Sequence, residues 1–190
     1  MPRAVIFFVL LILALTACAG PPPAAFDPSG PCVGDGSAPG AYPDLEAQIP
    51  TRFEDIAPGT LDSGRKCSPE ALGSLAKVGI EEVKFAGGTW SFGGTRAAAI
   101  AVFSAPGLTA DAMADFYAES ARAANRTRVT AETSPMTAGR QGHRIDTVTG
   151  SRQQTVVVWP AEATDVVNVV ITNDLPDPKI EAAVEAFGGR

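Results

Sequence analysis

The sequence contains little histidine, tryptophan, tyrosine or basic charge, and each shortage narrows the functions that it allows. Histidine occurs once among 190 residues, so a Ser-His-Asp or Cys-His mechanism has to use His143. Lysine and arginine together number 15 against 21 acidic residues, which leaves no basic stripe for nucleic acid. The same acidic balance excludes adhesion to anionic lipid headgroups through charge. The sequence therefore indicates neither a nucleic-acid-binding protein nor one held on a membrane by basic residues.

A long apolar run is also missing. The most apolar segment extends from Ala4 to about Leu15, whereas a membrane-spanning helix needs about 20 such residues. One basic residue, Arg3, precedes this segment and small residues follow it, which is the pattern of a secretory signal peptide. We therefore expect these first residues to direct export and then to be removed.

The apolar segment ends on the residues LTAC, at positions 15–18, and this ending resembles the lipobox of bacterial lipoproteins. In that family the cysteine thiol receives a diacylglyceryl group, and the signal peptide is cut immediately before the cysteine. The resemblance implies that Leu15, Thr16 and Ala17 are recognition residues and that Cys18 carries the lipid. It also implies tethering to the cell membrane on the extracytoplasmic side, since two or more acyl chains hold firmly. The alternative is a chance cysteine at the end of an ordinary signal peptide.

Two further cysteines, Cys32 and Cys67, remain after such a cleavage. An extracytoplasmic compartment permits disulfides, so we expect these two residues to pair in a structural role. The alternative is a metal site, but two cysteines without a nearby histidine fall short of the four ligands that zinc usually takes. Neither the residue spacing of a calcium loop nor a phosphate-binding glycine loop is present. The sequence therefore predicts no metal and no cofactor.

The chain divides into three predicted parts. Residues 1–17 are the signal peptide, and residues 18–44 carry proline or glycine at nearly every other position. That composition predicts a tether that cannot bury a core of its own. Residues 45–190 are predicted to form a single globular domain of ordinary size. The expected disulfide would attach the far end of the tether to this domain and leave about Ala19–Pro31 free.

In the domain, the predicted strands occur in groups between the helices instead of alternating one by one with them. Helices are predicted after the N-cap residues Ser68, Thr109 and Asp177, and the first of them runs to Gly79. The β-rich stretches lie between the helices, and one of them is broken at residues 87–88 by two glycines. This order predicts an α+β fold with a mostly antiparallel sheet and about three helices packed on one face. At fold level alone, the pattern resembles the PsbP/Mog1-like modules that also appear in bacterial lipoproteins.

If helices cover one face of the sheet, the other face is free for a ligand. The candidate residues for this ligand-binding face are Trp90, Arg96, His143, Arg144 and Trp159. Its arginines suit an acidic ligand, and each tryptophan either completes the core or lines a pocket. Strand alternation places His143 on one face and Arg144 with Asp146 on the other. His143 and Asp146 are therefore not expected to form a catalytic pair, although a distant Ser or Asp can still reach the histidine.

No catalytic set assembles from these residues in the sequence. We therefore expect a non-catalytic binding or interaction module, anchored to the cell membrane through its lipid. Its partner would be an envelope protein, a lipid or a small ligand. The alternative is an envelope hydrolase that uses His143. A purely structural envelope protein is the third hypothesis, and it differs from the first in having no saturable ligand.

Overall fold

The computed structural model describes residues 26–188. The predicted signal peptide with Leu15, Thr16 and Ala17, and the predicted lipid-bearing Cys18 that follows it, lie outside this range, so the lipid anchor stays a prediction. Within the range, no helix combines the length and the apolar character needed to cross a bilayer.

Ten strands and five helices follow one another along the described chain, and a 3₁₀ turn closes it at Ala186–Gly188. The elements in chain order are β1 (Gly36–Ala38), α1 (Pro43–Glu46), β2 (Thr60–Lys66), α2 (Pro69–Leu72), α3 (Ser74–Lys77), β3 (Val83–Ser91), β4 (Ala97–Ser104), α4 (Ala110–Ala123), β5 (Thr127–Thr133), β6 (Met136–Thr137), β7 (Arg140–Gln141), β8 (His143–Thr149), β9 (Arg152–Pro160), β10 (Val166–Asn173) and α5 (Asp177–Glu185).

Eight of these strands form one sheet in the order β1-β2-β3-β4-β10-β9-β8-β5. Every neighbouring pair in this sheet is antiparallel, and β6 pairs with β7 in a separate small hairpin. The prediction of an α+β fold with a mostly antiparallel sheet is therefore confirmed. The last strand, β10, lies in the middle of the sheet between β4 and β9, so the two halves of the chain share one continuous sheet.

Apolar side chains cover both faces of the sheet. Alternate residues of β9 show this arrangement, because Val156 and Val158 join a core that includes α4, whereas Val157 and Trp159 join a core that includes α5. We name these the α4-side core and the α5-side core. Strands that are apolar on both faces need cover on both. The prediction of about three helices on one face is not confirmed, because residues 26–188 contain five helices and α5 packs opposite α4.

Local signals placed two helix starts correctly and a third one incorrectly. The side chains of Ser68 and Thr109 accept hydrogen bonds from the first turns of α2 and α4, as N-caps do. Asp177 is the first residue of α5 instead of its cap, and no side chain caps this helix. The Asp177 carboxylate accepts a hydrogen bond from Arg144 instead, so a tertiary contact replaces the expected local one.

Two glycine positions also differ from expectation. Gly73, with φ at +50°, separates α2 from α3 where one continuous helix was predicted. The glycines at 87–88 do not break β3, which runs through them. A Cβ atom at Gly88 would lie 2.7 Å from the ring of Trp90. The glycine is therefore required by the close packing of that ring and not by a turn.

Residues 26–44, which the composition assigned to the tether, lie against the domain. β1 pairs with β2, and a disulfide joins Cys32 to Cys67 with their Cα atoms 6.2 Å apart, so the predicted pairing is confirmed. Arg65 is only 5% exposed, and its guanidinium donates hydrogen bonds to three main-chain carbonyl groups between residues 27 and 31. A strand pairing, a disulfide and a buried arginine, instead of an apolar core, thus attach this proline-rich segment.

Candidate functional site

The five predicted site residues do not form one surface. Trp90 belongs to the α5-side core, where it is 1% exposed and its indole nitrogen donates a hydrogen bond to the carbonyl of Ile56 at 2.9 Å. Arg96 lies in the exposed turn before β4, and its guanidinium donates to the carbonyl of Phe92 at 3.0 Å. The remaining three residues, His143, Arg144 and Trp159, lie in three separate environments.

His143 lies on the α4 side of β8 and faces the first turn of α4. Its Nε2 atom is 2.7 Å from Oδ1 of Asp111, and its Nδ1 atom is 3.4 Å from Oγ of Ser134. The side chain of His143 is 30% exposed and that of Asp111 is 84% exposed. All three residues border a cavity of about 670 Å³. A serine, a histidine and an aspartate thus meet here, although Asp111 and His143 are 32 residues apart in the sequence.

The geometry of this trio fits nucleophilic catalysis poorly. A nucleophile and its base lie within about 2.6–3.2 Å in such systems, whereas Ser134 and His143 are 3.4 Å apart. The carboxylate of Asp111 is exposed to water, which weakens its hold on the imidazole. Asp146 lies on the α5 side, where it accepts a hydrogen bond from Arg144 at 3.0 Å. The expected separation of His143 from Asp146 is therefore confirmed.

Arg144 borders a polar groove of about 440 Å³ between β8 and the start of α5. Its Nε atom donates to both carboxylate oxygens of Asp146, and its Nη2 atom donates to Asp177 at 2.8 Å. The hydroxyl of Thr155 donates a further hydrogen bond to Asp146 at 2.6 Å. Burial disfavours the charged form of Arg144, but the bonds to the two carboxylates outweigh this effect and raise its pKa. These polar groups bind each other, and their network holds α5 to the sheet.

A third cavity, of about 520 Å³, lies near Trp159 and beside the loop that joins β9 to β10. We name it the Asn168 cavity. The polar and aromatic residues of its wall are Gln48, Arg140, Glu162, Asn168 and Phe187. Trp159 itself is 2% exposed, and its ring packs edge-on against the ring of Phe187 with their centroids 5.2 Å apart. Asn168 and Trp159 are direct partners in the pairing of β10 with β9, so their side chains share one face.

The polar groups around the Asn168 cavity are not bonded to one another. Asn168 is 8% exposed, and nothing in residues 26–188 forms a hydrogen bond with its side-chain amide. The indole N–H of Trp159 is buried and also lacks a partner. The guanidinium of Arg140 lies 5.9 Å from the centroid of the Trp159 ring and forms no ion pair with any described carboxylate. The amide of Asn168 lines the cavity, so a molecule bound there can form hydrogen bonds with it.

The β6–β7 hairpin positions Arg140 over the tryptophan ring. Both turn residues, 138–139, adopt positive φ angles, so the chain reverses sharply just before β7. Gly142 follows, and a Cβ atom there would approach the carbonyl oxygen of Val158 to 2.3 Å. Only glycine lets this segment lie directly on β9. The close approach therefore explains how a short hairpin delivers Arg140 to Trp159.

The sequence pointed to Trp159 but missed its two polar neighbours. Asn168 did leave a signal, because it is a polar residue inside the apolar stretch DVVNVVITN. A polar side chain at an inward strand position needs a partner, so such an interruption is informative. Arg140 left none, since strands of two residues have no detectable alternation.

Comparison with known proteins does not place the chain in a family. No protein-family model matches it, and no curated protein matches it in sequence. In the part of the chain that the structure describes, no group of three or more His, Cys, Asp or Glu side chains is arranged to hold a metal ion.

Proposed function

We propose that the protein is a lipid-anchored extracytoplasmic lipoprotein that acts as a non-catalytic binding module of the cell envelope. We place its ligand site at the Asn168 cavity. The observation that carries the binding part is the side-chain amide of Asn168, which lines the cavity and has no partner among residues 26–188. A polar side chain at an inward strand position needs a hydrogen-bonding partner, and a molecule in the cavity can supply one.

The anchor and the compartment have separate support. The LTAC ending and its Cys18 favour lipidation, and a disulfide between Cys32 and Cys67 suits an oxidising compartment outside the cytoplasm. The segment that follows the anchor joins the domain beside β2. In the sheet order, β10 and β9 are three and four strands away from β2, which corresponds to roughly 14–19 Å. The anchored edge and the Asn168 cavity are therefore distinct parts of the sheet.

Cell fractionation of the wild type and a Cys18→Ser variant tests the anchor. We expect the wild type in the membrane fraction, with an intact mass equal to residues 18–190 plus the added lipid. The variant should lack the lipid mass. An unmodified wild-type mass would show that Cys18 is not the anchor.

Analysis of co-purifying molecules tests the binding part. The full chain is extracted from its own membranes in mild detergent and unfolded, and the released compounds are identified by mass spectrometry. We expect one defined compound from the wild type and from Asn173→Leu, a control on the same strand whose residue already bonds Gln154. Asn168→Leu should release far less of it. A wild-type protein that releases only lipid and detergent would contradict the binding module and favour a purely structural role.

The contact of Ser134, His143 and Asp111 favours a second candidate function, that of an envelope hydrolase using His143. A chromogenic ester such as p-nitrophenyl acetate separates the two candidates. The binding proposal expects equal hydrolysis rates for the wild type and a His143→Ala variant. A loss of 10-fold or more in the variant would instead support the hydrolase, since a positioned acid or base contributes about 10²–10⁴-fold.

A further inference from the structure

We infer that the Asn168 cavity recognises small monocarboxylates that carry an apolar or aromatic body. This inference rests on the proposed function, because it names the ligand class of the same site. It depends on the charge of Arg140, the donor groups near Asn168 and the apolar part of the wall. Each of these features selects one property of the ligand.

Arg140 supplies a positive charge that other groups have not neutralised. Its guanidinium lies at cation–π distance from Trp159, and no carboxylate in residues 26–188 pairs with it. Arg144, by contrast, is bonded to two aspartates. The planar fork of N–H groups on an arginine matches a carboxylate through two parallel hydrogen bonds. Arg140 is therefore the group in this cavity that an anion would meet.

The donors beside Arg140 also favour an acceptor ligand. The side-chain amide of Asn168 carries two N–H donors, lines the cavity and has no partner in residues 26–188. Gln48 lines the same cavity, and its amide is committed only through one hydrogen bond to a main-chain carbonyl. Carboxylate oxygens accept several hydrogen bonds each, so one such group can satisfy both Arg140 and Asn168.

Charge favours one negative charge over two. Glu162 lines the Asn168 cavity as well, and the whole chain has a formal charge of −6. Glu162 opposes any anion in this cavity, and it opposes the two charges of a phosphate dianion about twice as strongly as the single charge of a carboxylate. A monocarboxylate is therefore favoured over phosphate.

The smaller, apolar part of the wall can contact an apolar body. Phe187, Pro160 and the alanines at 161 and 163 border the cavity, and the volume of about 520 Å³ falls within the range of small-molecule sites. The ring of Phe187 is held in place by its edge-on contact with Trp159. A flat aromatic or branched aliphatic group next to the carboxylate would contact this wall.

Titration by NMR tests the ligand class with defined probes. The full-length protein, labelled with ¹⁵N, is titrated in mild detergent with phenylacetate, phenylacetamide and inorganic phosphate. The reporter signals are the indole N–H of Trp159 and the side-chain amide of Asn168, which are assigned by their loss in single variants. We expect saturable shifts with phenylacetate and none with its neutral amide or with phosphate.

Arginine variants show which charge the probe uses. Arg140→Gln should weaken phenylacetate binding by about 10- to 100-fold, the usual effect of a lost charged hydrogen bond. Arg140→Lys keeps the charge but loses the fork, so it should fall between the wild type and Arg140→Gln. The matched control is Arg128→Gln, which removes the same charge from an exposed position on β5 and should change the affinity by less than 2-fold.

Failure of the ligand class can be told apart from failure of the site. Equal shifts with phenylacetamide, or stronger shifts with phosphate, would overturn the carboxylate while keeping the Asn168 cavity as a binding site. Shifts that persist unchanged in Arg140→Gln would overturn the role of that residue. If no probe shifts either reporter signal, the inference is overturned, and the proposed function is then judged by the compounds that co-purify with the wild type.

Discussion

Replacement of Asn168 by leucine should stabilise the ligand-free protein while it removes binding. Asn168 is 8% exposed and its amide has no partner in the described part of the chain, but the amide borders the cavity and keeps contact with solvent, so it costs no more than about 1 kcal/mol. Leucine has almost the same shape and places no polar atom at this inward position. We therefore expect the free energy of unfolding to rise by up to about 1 kcal/mol. For a domain of this size, a gain of about 1 kcal/mol raises the melting temperature by roughly 2–4 °C.

Urea unfolding of the full-length protein, followed by circular dichroism, measures this change. The slope of the transition should stay the same in both proteins, because the surface exposed on unfolding does not change. Asn173→Leu is the control, since the side-chain Oδ1 of Asn173 accepts a hydrogen bond from the side-chain Nε2 of Gln154 at 3.1 Å. This control should lose about 0.5–1.5 kcal/mol, the usual net contribution of one hydrogen bond.

The opposite sign would refute the reasoning. If Asn168→Leu lowers the free energy of unfolding by about 1 kcal/mol or more, with an unchanged slope, the amide contributes to the fold. Asn168 would then resemble Asn173 in having a structural partner. In that case the cavity would lose the feature that identifies it as a ligand site.

Three further predictions concern the N-terminal segment. Replacing Cys32 by Ser opens a loop spanning 35 residues and should lower the free energy of unfolding by about 4 kcal/mol; an unchanged urea midpoint would contradict this. The main-chain N–H of Ser68, against a smaller effect of burial, lowers the pKa of Asp35. The stability from Asp35 is therefore present above about pH 4 and lost as the pH falls through the lowered pKa. Asp35→Asn should thus be less stable than the wild type at pH 6, by at most about 1 kcal/mol for so exposed a group, and equally stable near pH 2; a constant difference in urea titrations would refute this. A Cβ atom at Gly64 would lie 2.2 Å from a main-chain oxygen of β1, so Gly64→Ala should detach β1 and speed proteolysis there, whereas Gly34→Ala, with open space around it, should not.

Features set by neighbouring residues could be predicted from the sequence. The cap at Thr109 and the start of α4 depend on residues within one turn, and the structure contains both. The turn between β8 and β9 contains Gly150, whose φ is +65°, a conformation that glycine adopts without strain. Strand alternation also correctly predicted that His143 and Asp146 lie on opposite faces of the sheet, because alternation is a local property of a strand.

Features set by distant residues could not be predicted in this way. The order of helices and strands predicted about three helices on one face, whereas α5 covers one face of the sheet and α4 the other. The composition of the proline-rich segment predicted that it does not pack. In the structure Arg65 binds its main-chain carbonyl groups, which every residue has and which therefore leave no signal in the sequence. Asp111 reaches His143, and Arg140 reaches Trp159, only after the sheet has formed. The site therefore had to be found in the tertiary structure.

Native mass spectrometry of the membrane-extracted protein tests the central claim most directly, because a single spectrum reports both the anchor and the ligand. The account predicts that the wild type carries lipid on Cys18 together with one further small mass, and that Asn168→Leu keeps the lipid but loses the small mass. A lipid-free chain, or a wild type and variant with identical lipidated masses and no bound compound, would contradict it.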